Sequence, residues 1–72
     1  MTSATIQAAY LHSFVAAARM FSPRQRAALT LVHVAGLSIG KAARRLRLAF
    51  ATVLYHLRKA EEKLQRWIDA TA

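Results

Sequence analysis

The residues that could do chemistry sit in one stretch of the chain. Lys41, Arg44, Arg45 and Arg47 form a basic cluster, and Phe50, Ala51, Thr52, Leu54, Tyr55, His56 and Lys59 follow it closely. The chemistry they offer is recognition rather than bond making. Guanidinium and ammonium groups hold phosphate oxygens, and each phosphate they neutralise steepens the salt dependence of binding. Sets of catalytic residues are missing. The chain has three acids, Glu61, Glu62 and Asp69, and all lie near its end. There is no separated carboxylate pair, no Ser/His/Asp arrangement and no glycine-rich phosphate loop, so the chain is not expected to be an enzyme. His12, His33 and His56 fall on different predicted helices, and there is no cysteine, so neither metal nor cofactor is expected.

The charge balance points the same way. Seventy-two residues carry eleven Lys+Arg against three Asp+Glu, a net charge of +8. Such an excess on one small domain favours a polyanion as partner, although a generic basic surface has the same balance. The length allows a single domain, residues 1–72, with a modest core. The absence of cysteine fits a reducing cytoplasm. No secretory signal is expected at the N-terminus. No apolar run approaches the ~20 residues that a bilayer span needs, so no membrane is expected among the partners.

The elements that must position the cluster are all helical. Only two Gly and one Pro interrupt the chain, and apolar residues recur at helical spacing. A first helix is predicted over Ala4–Met20, with Ile6, Tyr10, Leu11, Phe14, Val15 and Ala18 on one apolar face. Thr2, Ser3 and Thr5 are its candidate caps. At "FSPRQR" Ser22 is the N-cap of a second helix, Pro23 its first residue, and Phe21 can staple onto it. That helix runs to about Ala35, with Ala28, Leu29, Val32 and Ala35 inward and Gly36 closing it. Ser38 caps a third helix, about Ile39–Leu46, with Ile39, Ala42, Ala43 and Leu46 inward. After a turn at Arg47–Ala49, a fourth helix begins near Phe50 and can reach Asp69. Glu62 and Arg66 form a favourable i, i+4 pair on it. Residues 1–21 thus form an N-terminal helix, and residues 22–72 hold the rest of the domain.

The stretch "FSPRQRAALTLVHVAGLSIGKAARRLRLAFATVLYHLRKAEEKL" resembles region four of bacterial sigma factors, the helix-turn-helix domain that reads the −35 promoter element. The family pattern places Arg-Gln-Arg near a proline, then Leu-x-Leu, Gly-Leu-Ser, a short helix, and Thr-Val in the recognition helix. Arg24, Gln25, Arg26, Leu29, Leu31, Gly36, Leu37, Ser38, Ala43, Leu46, Thr52, Val53, Leu57, Ala60 and Leu64 fit it without a gap. The likeness covers about two-thirds of the chain, and LuxR-type output domains share its Gly-Leu-Ser and Thr-Val elements. It implies an all-α, four-helix helix-turn-helix domain with a long C-terminal recognition helix. It also implies a partner, double-stranded DNA, and a place in the bacterial cytoplasm on the nucleoid. Nothing in the chain resembles the sigma domain that melts the −10 element, so a stand-alone regulator is expected, of the kind that phages and plasmids often carry. Its expected work is repression or autoregulation by promoter occlusion.

The sequence departs from that pattern at three places. Lys41-Ala42-Ala43 stands where Glu-Ile-Ala is usual. The turn Gly-Ile-Ser is replaced by Arg47-Leu48-Ala49, which removes both a glycine suited to positive φ and a serine cap. The outer face of the fourth helix carries Phe50, Ala51, Leu54 and Tyr55, where sigma domains usually put Lys, Ser or Arg at the last two.

Three uses of that face stay open on the sequence. Phe50, Ala51 and Leu54 can press on thymine methyls, with Thr52 and nearby amides on a phosphate and Tyr55, His56 and Lys59 further along. They can instead anchor a protein such as RNA polymerase or an anti-sigma factor. Or Phe50 and Leu54 can pack into the chain's own core. The basic cluster likewise reads as phosphate clamps or as a solvated face. Arg24 and Arg26 sit at a helix N-terminus, where cations are disfavoured, which hints at another phosphate contact. Val53, Leu57, Ala60, Leu64 and Trp67 repeat with heptad spacing. With Leu54, Glu61 and Ile68 beside them, they read either as core or as a homodimer seam. The seam reading makes Leu54, Leu57, Glu61, Leu64, Trp67 and Ile68 the interface, and a palindromic site would follow from the two-fold axis.

Overall fold

The computed structural model describes residues 12–71, and within them every regular element is helical, as expected of an all-α chain. The described part of the first helix, α1, is residues 12–16, and it tightens into a 3-10 turn at Ala18–Met20. Ile6, Tyr10 and Leu11 and the candidate caps lie outside the described residues. Inside them, the predicted apolar face is rotated. Val15 is 76% exposed, whereas Ala17 is 2% exposed and Phe14 is half-buried. The core takes the strip through Phe14 and Ala17, and a 100° step per residue carries Val15 out of it. Phe21 is buried, and its ring meets Phe14 edge-on with centroids 5.4 Å apart.

Helix α2 covers Pro23–Leu29. Its start is a full capping box: Gln25 N–H donates to Ser22 Oγ at 3.2 Å, and Ser22 N–H donates to Gln25 Oε1 at 3.1 Å. Pro23 occupies the first turn, where a missing N–H costs nothing. After Leu29 the helix widens into a π turn, Thr30–Val34. Ala35 N–H reaches back five residues to Thr30 O at 2.9 Å. This i→i+5 bonding turns the chain less per residue than an α-helix does. Ala35, expected on the inner face, is therefore exposed, while Leu31 and Val32 share the partly buried positions. Gly36 closes the element at φ +75°, and Leu37 N–H bonds to Leu31 O at 2.9 Å.

Helix α3 covers Ile39–Leu46, with Lys41 N–H donating to Ser38 Oγ at 3.2 Å. Ala42 and Ala43 are buried, and Ile39 and Leu46 pack at the edge of the core. The helix ends in a Schellman motif: Leu48 N–H bonds to Ala43 O at 3.0 Å and Arg47 N–H to Arg44 O at 3.2 Å. Arg47 occupies the left-handed position, φ 56° and ψ 43°.

Helix α4 covers Phe50–Thr71, 22 residues, or about 33 Å at ~1.5 Å per residue. It is the axis of the molecule, for both α2 and α3 pack against it. Val53, Leu57, Ala60 and Leu64 form its buried stripe, facing Leu29, Ala28 and the α3 alanines in one core. Alanines at three of the fully buried positions, Ala28, Ala42 and Ala60, let the helix backbones approach closely. Two long-range polar contacts tie α4 down. Lys63 Nζ donates to Gln25 Oε1 at 2.9 Å and to Met20 O at 3.1 Å. His33 Nε2 lies 3.2 Å from Glu61 Oε2.

Candidate nucleic-acid interface

Nine of the eleven basic residues, all but Lys63 and Arg66, precede Glu61, the first acid in the chain. The N-terminal part of the domain is thus a field of one sign. Lys41, Arg44, Arg45 and Arg47 are all exposed, and none of them forms an ion pair among the described residues. Their placement follows from local rules. Ala42 and Ala43 turn inward, so Lys41, Arg44 and Arg45 must turn outward at 100° per residue. Arg44 and Arg45 lie in the last turn of α3, where a cation also stabilises the helix dipole. That local benefit accounts for two of the four charges. Arg47 has no such account, since it holds a backbone conformation that disfavours any side chain.

The rotation of α4 is set by Val53 and Leu57, which point into the core. Phe50, Ala51 and Tyr55 are therefore exposed, at 55% for Phe50 and 58% for Tyr55, and Leu54 is half-exposed beside them. Phe50 accordingly does not pack in the core, one of the uses open on the sequence. Thr52 and His56 are half-buried on the opposite flank. Tyr55 is held in place along the helix. His56 meets its ring edge-on at 5.6 Å, and Lys59 Nζ stands 5.9 Å from the ring centroid, a cation–π distance.

Arg58 belongs to this face and is absent from the sequence-based set of site residues. It is exposed, three residues after Tyr55 and four after Leu54. The signal that finds it is helical spacing alone, because residues 51, 54, 55 and 58 share one side of a helix. Arg24 and Arg26 are also exposed, on α2.

The expected seam is largely inside the molecule. Leu57 is 4% exposed and Leu64 is 0% exposed, so the chain's own α2 and α3 use them and they offer no surface to a second copy. Trp67 and Ile68 are half-buried against the same core. Glu61 is engaged with His33. Glu62 pairs back to Lys59 at 3.7 Å instead of forward to Arg66. A half-buried Leu54 is the part of the expected interface nearest the basic field.

Among the described residues no helix is long and apolar enough to cross a membrane. Nor do they contain a group of three His, Cys, Asp or Glu able to hold a metal ion. Set beside known proteins, the chain matches no family, no curated protein and no solved structure.

Proposed function

We propose that α3, the turn Arg47–Ala49 and α4 act as a helix-turn-helix that binds double-stranded DNA and regulates transcription. One observation carries this reading: four exposed basic side chains without acidic partners lie on α3 and its turn, next to an exposed face at the start of α4. The basic groups hold the phosphate backbone, and the first two turns of α4 enter the major groove. The domain works as a small repressor or autoregulator in the bacterial cytoplasm, occluding a promoter. The resemblance to sigma region four supports this reading through the residues that carry it, Gly36, Ser38, Thr52 and Val53 among them.

The test is selection from a randomised duplex library at about 150 mM salt, where counterion-driven binding is partly suppressed. An enriched palindrome means two copies on DNA, joined through surfaces away from the groove such as Trp67 and Ile68. An enriched asymmetric site means one copy. Replacing Arg44→Ala with Arg45→Ala is expected to lower the slope of log affinity against log salt by about 1.8, two phosphate contacts at ~0.9 each. Thr52→Ala is expected to weaken binding further without unfolding the chain. Unchanged affinity in the folded variants would count against DNA as partner.

A second reading rests on the exposure of Phe50 and Tyr55. In it the same face docks RNA polymerase or an anti-sigma factor, as an apolar helix face does in a groove. Leu54→Lys then abolishes the protein complex while leaving duplex binding intact or stronger.

A further inference from the structure

The first two turns of α4 lack every side chain that makes a bidentate contact with a base. No Arg, Lys, Asn, Gln, Asp or Glu falls between Leu48 and Leu57. Guanine is read in the major groove by Arg or Lys, adenine by Asn or Gln, and cytosine by an acid. What α4 exposes there is Phe50, Ala51 and the Tyr55 ring, with Leu54 half-exposed beside them; Thr52 and His56, equally half-exposed, lie on the other flank of the helix. One feature of the major groove suits such a surface: the C5-methyl group of thymine, which takes apolar contacts. The surroundings suit it too. Lys41, Arg44, Arg45 and Arg47 precede this face, and Arg58 and Lys59 follow it on α4. Five of these six cations, all but Lys59 with its partner Glu62, have no acidic partner among the described residues, and a phosphate backbone on both sides of the apolar face matches such a distribution. The Tyr55 ring meets His56 edge-on at 5.6 Å and Lys59 Nζ at 5.9 Å, which favours its orientation along the helix.

We infer that the exposed face of Phe50, Ala51, Leu54 and Tyr55 selects duplex DNA by the C5-methyl groups of thymine, not by hydrogen bonds to base edges. This rests on the DNA-binding reading above and names the chemistry by which that same site chooses its sequence. Uracil has thymine's hydrogen-bonding groups and lacks only the methyl, so the two bases isolate the effect. A 5-methylcytosine presents a methyl at the same place and is accepted where thymine is.

The test takes the most enriched duplex from the selection and remakes it with uracil at each thymine in turn, with the full chain as ligand. Burying one methyl is worth about a four-fold change in affinity. At least one position is expected to show that loss, and two contacted methyls together about sixteen-fold. Phe50→Ser and Leu54→Ser are the paired variants, both at positions outside the buried core. Each is expected to bind the thymine and uracil duplexes alike at the position it contacts. Equal affinity of the parent chain for both forms of an enriched duplex overturns the methyl reading and leaves DNA binding standing. Thymine dependence that survives in both variants also overturns it, since the effect then arises from DNA shape. If no sequence is enriched, the DNA-binding reading falls and this inference with it, and Phe50 is to be probed as a protein anchor.

Discussion

The two junctions on either side of α3 share a left-handed start and a common hand-over to the next helix, and differ in sequence. Gly36-Leu37-Ser38 joins α2 to α3, and Arg47-Leu48-Ala49 joins α3 to α4. Each starts with a left-handed residue, φ +75° at Gly36 and φ 56° at Arg47. Each continues with a half-buried leucine. Each ends on the residue whose carbonyl accepts the first bond of the next helix: Ala42 N–H to Ser38 O at 2.9 Å, and Val53 N–H to Ala49 O at 3.1 Å. The first junction uses the residues that physics favours at these places. The second replaces the glycine by an arginine and the capping serine by an alanine. What the second junction loses in stability it gains in charge, beside the face that we assign to DNA. Local strain kept next to a functional surface is a recurring arrangement.

Exchanging the junctions breaks the comparison most strongly. Gly36→Arg with Ser38→Ala imports the poorer junction into the better site. It is expected to cost about 2 kcal/mol, ~1 for the left-handed side chain and ~1 for the lost cap. Nothing lies within 4 Å of a Cβ built at Gly36, so this cost comes from φ and the cap, not from a clash. Urea unfolding reads it as a lower midpoint at unchanged slope. In a domain this small, about 2 kcal/mol is a large share of the total stability.

The reverse exchange sharpens the comparison. Arg47→Gly with Ala49→Ser is expected to stabilise by about 1–2 kcal/mol, slightly less than the sum because glycine also frees the unfolded chain. The same variant is expected to lose about one phosphate contact, a fall of ~0.9 in the salt slope. A rise in stability with no change in the salt slope would show that Arg47 does not hold a phosphate. The smallest effect is a control at the third start signal. Ser22→Ala opens the α2 capping box and is expected to cost about 1 kcal/mol, with no change in the salt slope.

The comparison also shows which parts of the fold were legible before the structure. The ends of α3, the start of α4 and the positive φ at Gly36 were all readable from the residues. The strain at Arg47 came only through the resemblance, whose Gly-Ile-Ser turn stands where this chain has Arg47-Leu48-Ala49. Caps and turns are decided within four or five residues, so their chemistry is printed locally. The π turn at Thr30–Val34 was not readable: no residue in "TLVHV" signals an extra residue per turn, and its effect appears only as an exposed Ala35. The candidate site was legible in composition, Arg58 apart. The use of its faces was not, since the heptad pattern of α4 fits a dimer seam and a monomer core equally well.

By itself the sequence determined helices through the described residues, two capped starts at Ser22 and Ser38, a left-handed stop at Gly36 and a basic segment without acids ahead of Glu61. These follow from short-range sterics, hydrogen bonding and charge counting, which need no knowledge of distant neighbours. Only the tertiary structure decided which strip of each helix is inside. It turned Val15 out and Ala17 in, buried Leu57 and Leu64, and left Phe50 and Tyr55 in solvent. It also joined Lys63 to Gln25 and His33 to Glu61, pairs separated by 38 and 28 residues. The physical reason is that a helix carrying apolar residues on more than one side can bury only the strip that finds a partner. That partner comes from elsewhere in the chain.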